Sequence, residues 1–152
     1  MTDAPRPRVS RAARLLGYAG LLPQLAAVLA LALYGPRAAD ALPVIFAYAY
    51  PSLILSFLGG IWWGFAMRRD RDQVALVAVA VLPSLAPIAI MFLMPRWTGG
   101  SLVLLGTAVL LTLFVDRRLV ARGDAPSDWM SLRVPLSLGL GGLTILAGLL
   151  AA

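Results

Sequence analysis

The sequence predicts an all-α protein, namely a polytopic transmembrane helical bundle of five spans with a cytoplasmic N-terminus and a C-terminus outside. Three observations predict this fold class. The chain has 152 residues and is 61% hydrophobic but only 13% charged, which is too apolar for an ordinary soluble domain. Its apolar residues form long runs that are separated by short polar segments. Its arginines lie mostly on one side of the bundle that these runs define.

The domain organisation follows from these runs. Residues 1–14 are a basic cytoplasmic tail, and residues 15–152 form a single transmembrane bundle. The first run is laid out like a secretory signal, but it is about twenty residues long and further runs follow it, so we expect it to be retained as a helix. The five helices are predicted at about 15–34, 41–67, 74–94, 99–115 and 132–152.

Helices two, three and four each carry a feature that constrains the span. Helix two is about 40 Å long against a hydrocarbon core of about 30 Å, so it must tilt or bend, and Pro51 allows a bend. Pro83 and Pro87 remove backbone donors from helix three and favour a bend there. Helix four has only the apolar run 101–115 before Asp116, so a full span requires the arginines that follow to reach the interface. A re-entrant helix four would move the C-terminus to the other side.

The distribution of arginine sets the predicted orientation. Of the thirteen basic residues, all of them arginine, only Arg37 and Arg96 lie on the side opposite the N-terminal tail. Because basic loops are retained in the cytoplasm, the N-terminus is predicted to be cytoplasmic. The absence of Lys and Glu, together with abundant Ala and Leu, is typical of GC-rich bacteria. We therefore expect a multi-pass protein of the bacterial inner membrane, with the lipid bilayer as its first partner.

Small residues recur in helices two and five. Ser52, Ser56, Gly60 and Gly64 are spaced four residues apart and so lie along one side of helix two, where they form a shallow groove, and Gly59 lies beside them. Glycines in helix five, chiefly Gly141 and Gly148, permit the same close approach. We therefore predict helix packing through these positions, with an intimate contact between helices two and five.

Two polar side chains fall within the predicted spans and need partners there. Gln24 lies near the middle of helix one, and Ser84 lies in helix three. The favoured interpretation is structural, with Gln24 joining helices through the hydroxyl of Ser52, Ser56 or Ser84. The alternative is that Gln24 lines a polar pocket.

The cytoplasmic interface is predicted to hold two groups of residues. Trp62 and Trp63 precede the arginines that end helix two, where an aromatic belt forms, although adjacent residues differ by about 100° and one of them is expected to pack inward. Asp116 beside Arg117 and Arg118, and Asp128 opposite Arg133, are interpreted as interfacial ion pairs near Trp129. These pairs hold helix ends together and match no catalytic motif.

Composition excludes several function classes. Without His or Cys the chain has no Ser-His dyad, thiolate nucleophile or ordinary zinc or haem site. No aspartate is expected within a span, as an intramembrane aspartic protease would require, and a phosphate loop needs the missing Lys. The arginines lie in short turns rather than on one basic face, which argues against nucleic acid. We expect no enzyme activity, no cofactor and no metal.

Three segments resemble a known family. They are Leu16–Pro23 (LGYAGLLP), Ile54–Gly64 (ILSFLGGIWWG) and Trp129 with Leu132 and Arg133. They resemble a family of unknown function that comprises small multi-spanning bacterial membrane proteins and the mitochondrial transmembrane protein 69. In that family a polar residue such as His can occupy the position of Trp62, so Trp62 departs from the pattern. The resemblance implies a multi-spanning inner-membrane protein and supplies no activity.

Two functional hypotheses follow from the sequence. The first is a non-enzymatic scaffold, accessory or assembly subunit that packs by its small-residue faces against another membrane protein or a second copy of itself. The second is a small permease or a protein that binds a lipid or small molecule between the proline-bent helices, near Gln24, Ser52, Ser56 and Ser84.

Overall fold

The computed structural model describes residues 9–35, 42–69 and 71–152, and within these ranges every regular element is a helix. The helices are α1 (Arg11–Ala19), α2 (Leu22–Tyr34), α3 (Leu42–Ala66), α4 (Gln73–Met91), α5 (Thr98–Ala121) and α6 (Trp129–Leu150). Five segments of the described ranges are long and apolar enough to cross a membrane, with α1 and α2 together making the first. The predicted bundle of five transmembrane helices is therefore confirmed.

The first span is broken where a proline interrupts its hydrogen bonding. Pro23 has no backbone N–H, so the carbonyl of Ala19 lacks its usual helical partner, and α1 ends at that residue. The hydroxyl of Tyr50 on α3 donates a hydrogen bond to the carbonyl of Gly20 at the junction. The break is thus held against the middle of α3.

Helix α5 is longer than the apolar run predicted. It continues through Asp116 to Ala121 and has 24 residues, which corresponds to about 36 Å. The reason is that Asp116 is buried against other helices, whereas Arg117 and Arg118 are exposed and extend away from the bundle. A re-entrant α5 is therefore not needed to accommodate the charges.

Helices α5 and α6 form an antiparallel hairpin and have the most extensive contact of any helix pair in the described ranges. A Cβ atom built on Gly106 would lie 2.6 Å from the carbonyl oxygen of Gly141, and one built on Gly99 would lie 2.6 Å from that of Gly148. Only glycine allows the two backbones to approach so closely at these positions. The prediction that Gly141 and Gly148 serve a contact with helix two was wrong, because both face α5.

Helix α3 makes its own close contact with α4. A Cβ atom on Gly59 would overlap the carbonyl oxygen of Ala80 and would lie 3.6 Å from the Cβ of Pro83. Around Trp62 and Leu119, this contact continues into a small apolar cluster near the ends of α3 and α5. That cluster adjoins the charged residues described next.

Candidate functional site

A charged network lies about one helical turn inside the ends of α3 and α5. We call it the ion-pair cluster, and it consists of Trp62, Thr112, Asp116, Trp129 and Arg133. Asp116 Oδ1 accepts hydrogen bonds from the indole nitrogens of Trp62 and Trp129, each at 3.0 Å. Its Oδ2 accepts from Arg133 Nε at 2.7 Å. Asp116 is 0% exposed and Arg133 is 5% exposed, so the pair is withdrawn from solvent.

The guanidinium group extends the network further into the bundle. Arg133 Nη2 donates to the hydroxyl of Thr112 at 3.0 Å, and that hydroxyl donates to the carbonyl of Val109 at 2.6 Å. The cluster contains one positive and one negative charge and is therefore neutral overall. Because each charge is paired and hydrogen-bonded, the network offsets much of the cost of its burial.

Helical spacing explains how the sequence assembles this cluster. Thr112 and Asp116 are four residues apart on α5, and Trp129 and Arg133 are four residues apart on α6, so each pair shares a face. The antiparallel hairpin brings the two faces together, and Trp62 reaches them from α3. The sequence interpretation named four of these residues and missed Thr112. The matching four-residue spacing on either side of the α5–α6 turn is the signal that identifies it.

The predicted pairing of Asp116 with Arg117 and Arg118 was wrong. Adjacent residues on a helix point about 100° apart, so neither arginine can follow the Asp116 side chain into the interior. The carboxylate instead pairs with Arg133, 17 residues further along the chain. The premise that no aspartate lies within a span was also wrong, because Asp116 is inside α5 and fully buried.

The predicted pairing of Asp128 with Arg133 was wrong for a related reason. Arg133 is already engaged by Asp116, and Asp128 lies just before α6, where it faces the start of α1. Its carboxylate accepts from the backbone N–H of Val9 at 3.0 and 3.1 Å and from Arg14 at 3.3 Å. The Arg14 side chain is 45% exposed, so this ion pair is weakly stabilising.

A third ion pair joins two turns on the same side of the bundle. Arg69, after α3, donates through Nε to Asp124 Oδ1 at 2.9 Å and through Nη2 to Oδ2. These hydrogen bonds lower the pKa of the Asp124 carboxyl and raise the pKa of Arg69, in both cases against a smaller opposing effect of burial. The pair ties the α3–α4 turn to the α5–α6 turn.

Gln24 occupies a second buried polar site, nearer the middle of the bundle. Its Nε2 donates to the carbonyl of Ala47 at 3.2 Å and to the hydroxyl of Thr144 at 3.1 Å. The carbonyl of Ala47 is available because Pro51, four residues later, has no N–H. Gln24 thus joins α2 to α3 and α6, although not through Ser52, which bonds to its own helix.

The small residues of α3 divide between two surfaces. Gly59 packs on α4, and Ser52 is half-buried. Ser56, Gly60 and Gly64 are exposed, and a Cβ atom on either glycine would meet no atom within 4 Å. These three residues, which we call the outer row, make no close contact within the described part of the chain.

The tryptophan pair and Ser84 also take separate positions. Trp62 is 2% exposed and belongs to the ion-pair cluster, whereas Trp63 is 44% exposed. This division follows from the 100° step between neighbours on a helix. Ser84 is half-buried on α4 and does not contact Gln24.

Comparison with known proteins identifies relatives of the whole bundle. The family model described as a protein of unknown function (DUF3429) matches residues 9–150. The chain is 35% identical to transmembrane protein 69 of Xenopus tropicalis over 116 residues, which is 73% of this chain and 43% of that protein. The chain thus spans less than half the length of that relative. No solved structure matches it.

These comparisons confirm the resemblance seen in the sequence. They and the five apolar helices support a multi-pass membrane protein. The relative named above is eukaryotic, so the bacterial inner membrane stays a prediction. The side of the membrane on which each terminus lies also stays a prediction.

Proposed function

This chain belongs to the DUF3429 family of proteins of unknown function, and we propose that it is a non-enzymatic membrane scaffold or accessory subunit. Its docking face is the outer row of α3, formed by Ser56, Gly60 and Gly64. The occupant that we propose for this face is a second copy of the same chain. Another membrane protein is the competing outcome of the test below.

The observation that carries the proposal is the exposure of two glycines one turn apart in a central helix. Gly60 and Gly64 have open space where a side chain would be. Glycine in a helix interior is about 1 kcal/mol less favourable than alanine, and no contact within the described chain offsets that cost. An external helix that packs closely against the outer row would supply the missing contact.

Close packing through glycines also occurs inside the bundle, and this supports a second copy as the occupant. Gly99 and Gly106 on α5 meet Gly148 and Gly141 on α6, so glycine faces glycine at both contacts. A two-fold axis beside α3 would place the outer row against itself, because an isologous interface uses the same patch on both subunits. The outer row carries no charge that would oppose this arrangement.

The state of the buried carboxylate supports a non-enzymatic role. Asp116 accepts from two indoles and from Arg133, and it is closed off from solvent. A general acid or base must reach the proton that it transfers. These contacts support a structural role for the cluster, which joins α3, α5 and α6.

A permease site near Gln24 receives less support from the geometry. The Gln24 amide nitrogen donates hydrogen bonds to Ala47 and Thr144. The Ser52 hydroxyl donates to a carbonyl of its own helix. Ser56 points away from Gln24 on the outer row. The polar residues that this alternative requires do not converge on one cavity.

The absence of cysteine from the sequence makes the proposed interface easy to test. A Gly60→Cys variant in native membranes should form a disulfide-linked dimer on mild oxidation. Gly142→Cys is the matched control, because Gly142 is also an open glycine on a spanning helix. A dimer with Gly60→Cys and little or none with Gly142→Cys is expected. Equal cross-linking of both, or cross-linking of Gly60→Cys only to a different protein, would contradict the second copy.

A further inference from the structure

A cavity of about 500 Å³ lies between α1, α3 and α6. Its volume is within the range of about 300 to 1,000 Å³ that is typical of sites for small molecules. The walls are mostly apolar and include Leu16 of α1 and Leu136 of α6. Four lining side chains carry polar atoms: Tyr50, Trp129, Arg133 and Ser137. The Tyr50 hydroxyl and the Trp129 indole N–H already donate to Gly20 and Asp116.

Ser137 lines this cavity and carries a hydroxyl that no neighbouring group in the described ranges uses. The residue is 1% exposed, and its hydroxyl oxygen is buried with no hydrogen-bond partner among the residues that the structure describes. Other hydroxyls of the bundle, such as those of Ser52 and Thr144, bond to the carbonyl four residues earlier in their own helix. A buried hydroxyl without a partner is destabilising, so the exception at Ser137 points to a ligand.

Arg133 supplies further donors to the same place. Its guanidinium has five N–H donors, of which those at Nε and Nη2 bond to Asp116 and Thr112. Arg133 and Ser137 are four residues apart on α6 and so lie on one face. Because Asp116 balances the charge of Arg133, the site offers hydrogen-bond donors with no net charge.

The polarity of the cavity matches that of a lipid. Along α6 the lining runs from Trp129 to Leu140, about 16 Å, and Arg133 lies near the end where α6 begins. Beyond Ser137 the walls as far as Gly20 and Leu140 are apolar apart from the Tyr50 hydroxyl, which is bonded to the Gly20 carbonyl. Leu16 and Phe57 of the lining are 74% and 65% exposed on the outer surface, so the cavity borders the lipid phase.

We propose that this cavity binds a phospholipid of the surrounding membrane. Oxygen atoms of its ester or phosphate groups accept hydrogen bonds from Arg133 and from the Ser137 hydroxyl, which turns about χ1 toward the cavity when the lipid enters. One acyl chain lies along the apolar wall. The polar groups of the lipid then lie toward the end of the bundle and the chain toward its middle, as in the bilayer. This site is separate from the outer row and does not depend on self-association.

The test uses phosphatidylglycerol with a photoreactive diazirine in one acyl chain, in nanodiscs that contain the full chain. After irradiation, mass spectrometry should find labels on the cavity-lining residues Leu58, Ile61 and Leu136 at several times the level found in the lipid-facing control segment 82–85. Ser137→Ala should lower cavity labelling about fivefold, because it removes one hydrogen bond. Ser52→Ala is the matched control and should leave it unchanged, since Ser52 bonds to its own helix.

A second variant keeps the proposal testable if Ser137→Ala disturbs folding. Ile54→Phe fills part of the cavity without removing a polar group, and it should also lower labelling. Gly142→Leu, at an open glycine of α6 outside the cavity lining, should not. Cavity labelling no higher than that of segment 82–85, or unchanged by both cavity variants, would overturn the proposal. So would equal labelling by a diazirine hydrocarbon without oxygen atoms, because the polar contacts would then contribute nothing.

Discussion

The bundle buries polar groups in two places, and these groups obtain hydrogen-bond partners in different ways. The ion-pair cluster near the helix ends combines charged groups, and both oxygens of Asp116 have partners. The Gln24 site near the middle is neutral, and Gln24 Oε1 has no partner among the described residues. The first site pairs both oxygens of its carboxylate, whereas the second leaves one amide oxygen unpaired.

The difference reflects the structural role of each site. Gln24 compensates for a backbone defect, because it bonds to the carbonyl that Pro51 leaves free on α3. The ion-pair cluster connects three helices through side chains alone, and its charges were costly to bury. Loss of one partner should therefore be far more damaging in the cluster than at Gln24. The following predictions test that contrast.

The largest effect is expected for Asp116→Ala. This change leaves Arg133 buried without a counter-charge, and breaking a buried pair in this way costs about 3 to 5 kcal/mol. The free energy of unfolding, measured by steric trapping in bilayers or detergent, should fall by that amount. Asp124→Ala, which breaks the half-buried pair between the two turns, is the control and should cost less, about 1 kcal/mol.

A double variant distinguishes loss of the charge balance from loss of packing. Asp116→Leu combined with Arg133→Met removes both charges and should recover much of the stability lost by Asp116→Leu alone. Independent, additive losses would show that the two side chains are not coupled. They would also mean that losing one partner in the ion-pair cluster is no more damaging, for want of a counter-charge, than losing Gln24.

An intermediate effect is expected for Trp62→Phe. It removes one donor to Asp116 while keeping an aromatic ring, and a hydrogen bond to a charged group contributes about 1.5 to 3 kcal/mol. The neighbouring Trp63→Phe is the matched control and should change stability by less than about 0.5 kcal/mol, because Trp63 is half-exposed. Similar losses for both variants would indicate that the indole N–H of Trp62 contributes little.

The sequence predicted the spans well and the charged contacts poorly. Long apolar runs locate helices because lipid requires them, and this requirement is local to each run. The end of α5 was placed too early, since counting apolar residues treats Asp116 as a stop. Its partner, Arg133, is on another helix, so the burial of Asp116 depends on packing that no single run encodes.

The glycine contacts show the same limit. The seven-residue spacing of Gly99 and Gly106 matches that of Gly141 and Gly148, so the pairing of α5 with α6 was available from the sequence. The outer row of α3 has equally regular spacing yet meets nothing within the described chain. Small-residue spacing therefore predicts a face suited to close contact but does not identify the partner.

A smaller effect is expected for Gln24→Leu. It leaves the carbonyl of Ala47 without a donor and should cost about 1 kcal/mol, typical of hydrogen bonds between membrane helices. Pro51→Ala restores an N–H that can bond to this carbonyl, so Gln24→Leu should cost less in that background. An unchanged cost in a double-mutant cycle would contradict the role of Gln24 as a substitute for the missing helical bond.

The smallest effect concerns the Arg69–Asp124 pair and depends on pH. Because the pKa of Asp124 is lower in the folded chain than in the unfolded chain, its contribution is present above the unfolded pKa and is lost as pH falls through the folded pKa. Partial solvent screening at these turns keeps the contribution small, about 1 kcal/mol. Between neutral pH and about pH 3, wild type should therefore lose slightly more stability than Asp124→Asn. Breaking the buried pair of Asp116 and Arg133 at neutral pH should, in contrast, cost several kcal/mol, so the two pairs show how the degree of burial changes the cost of losing one partner.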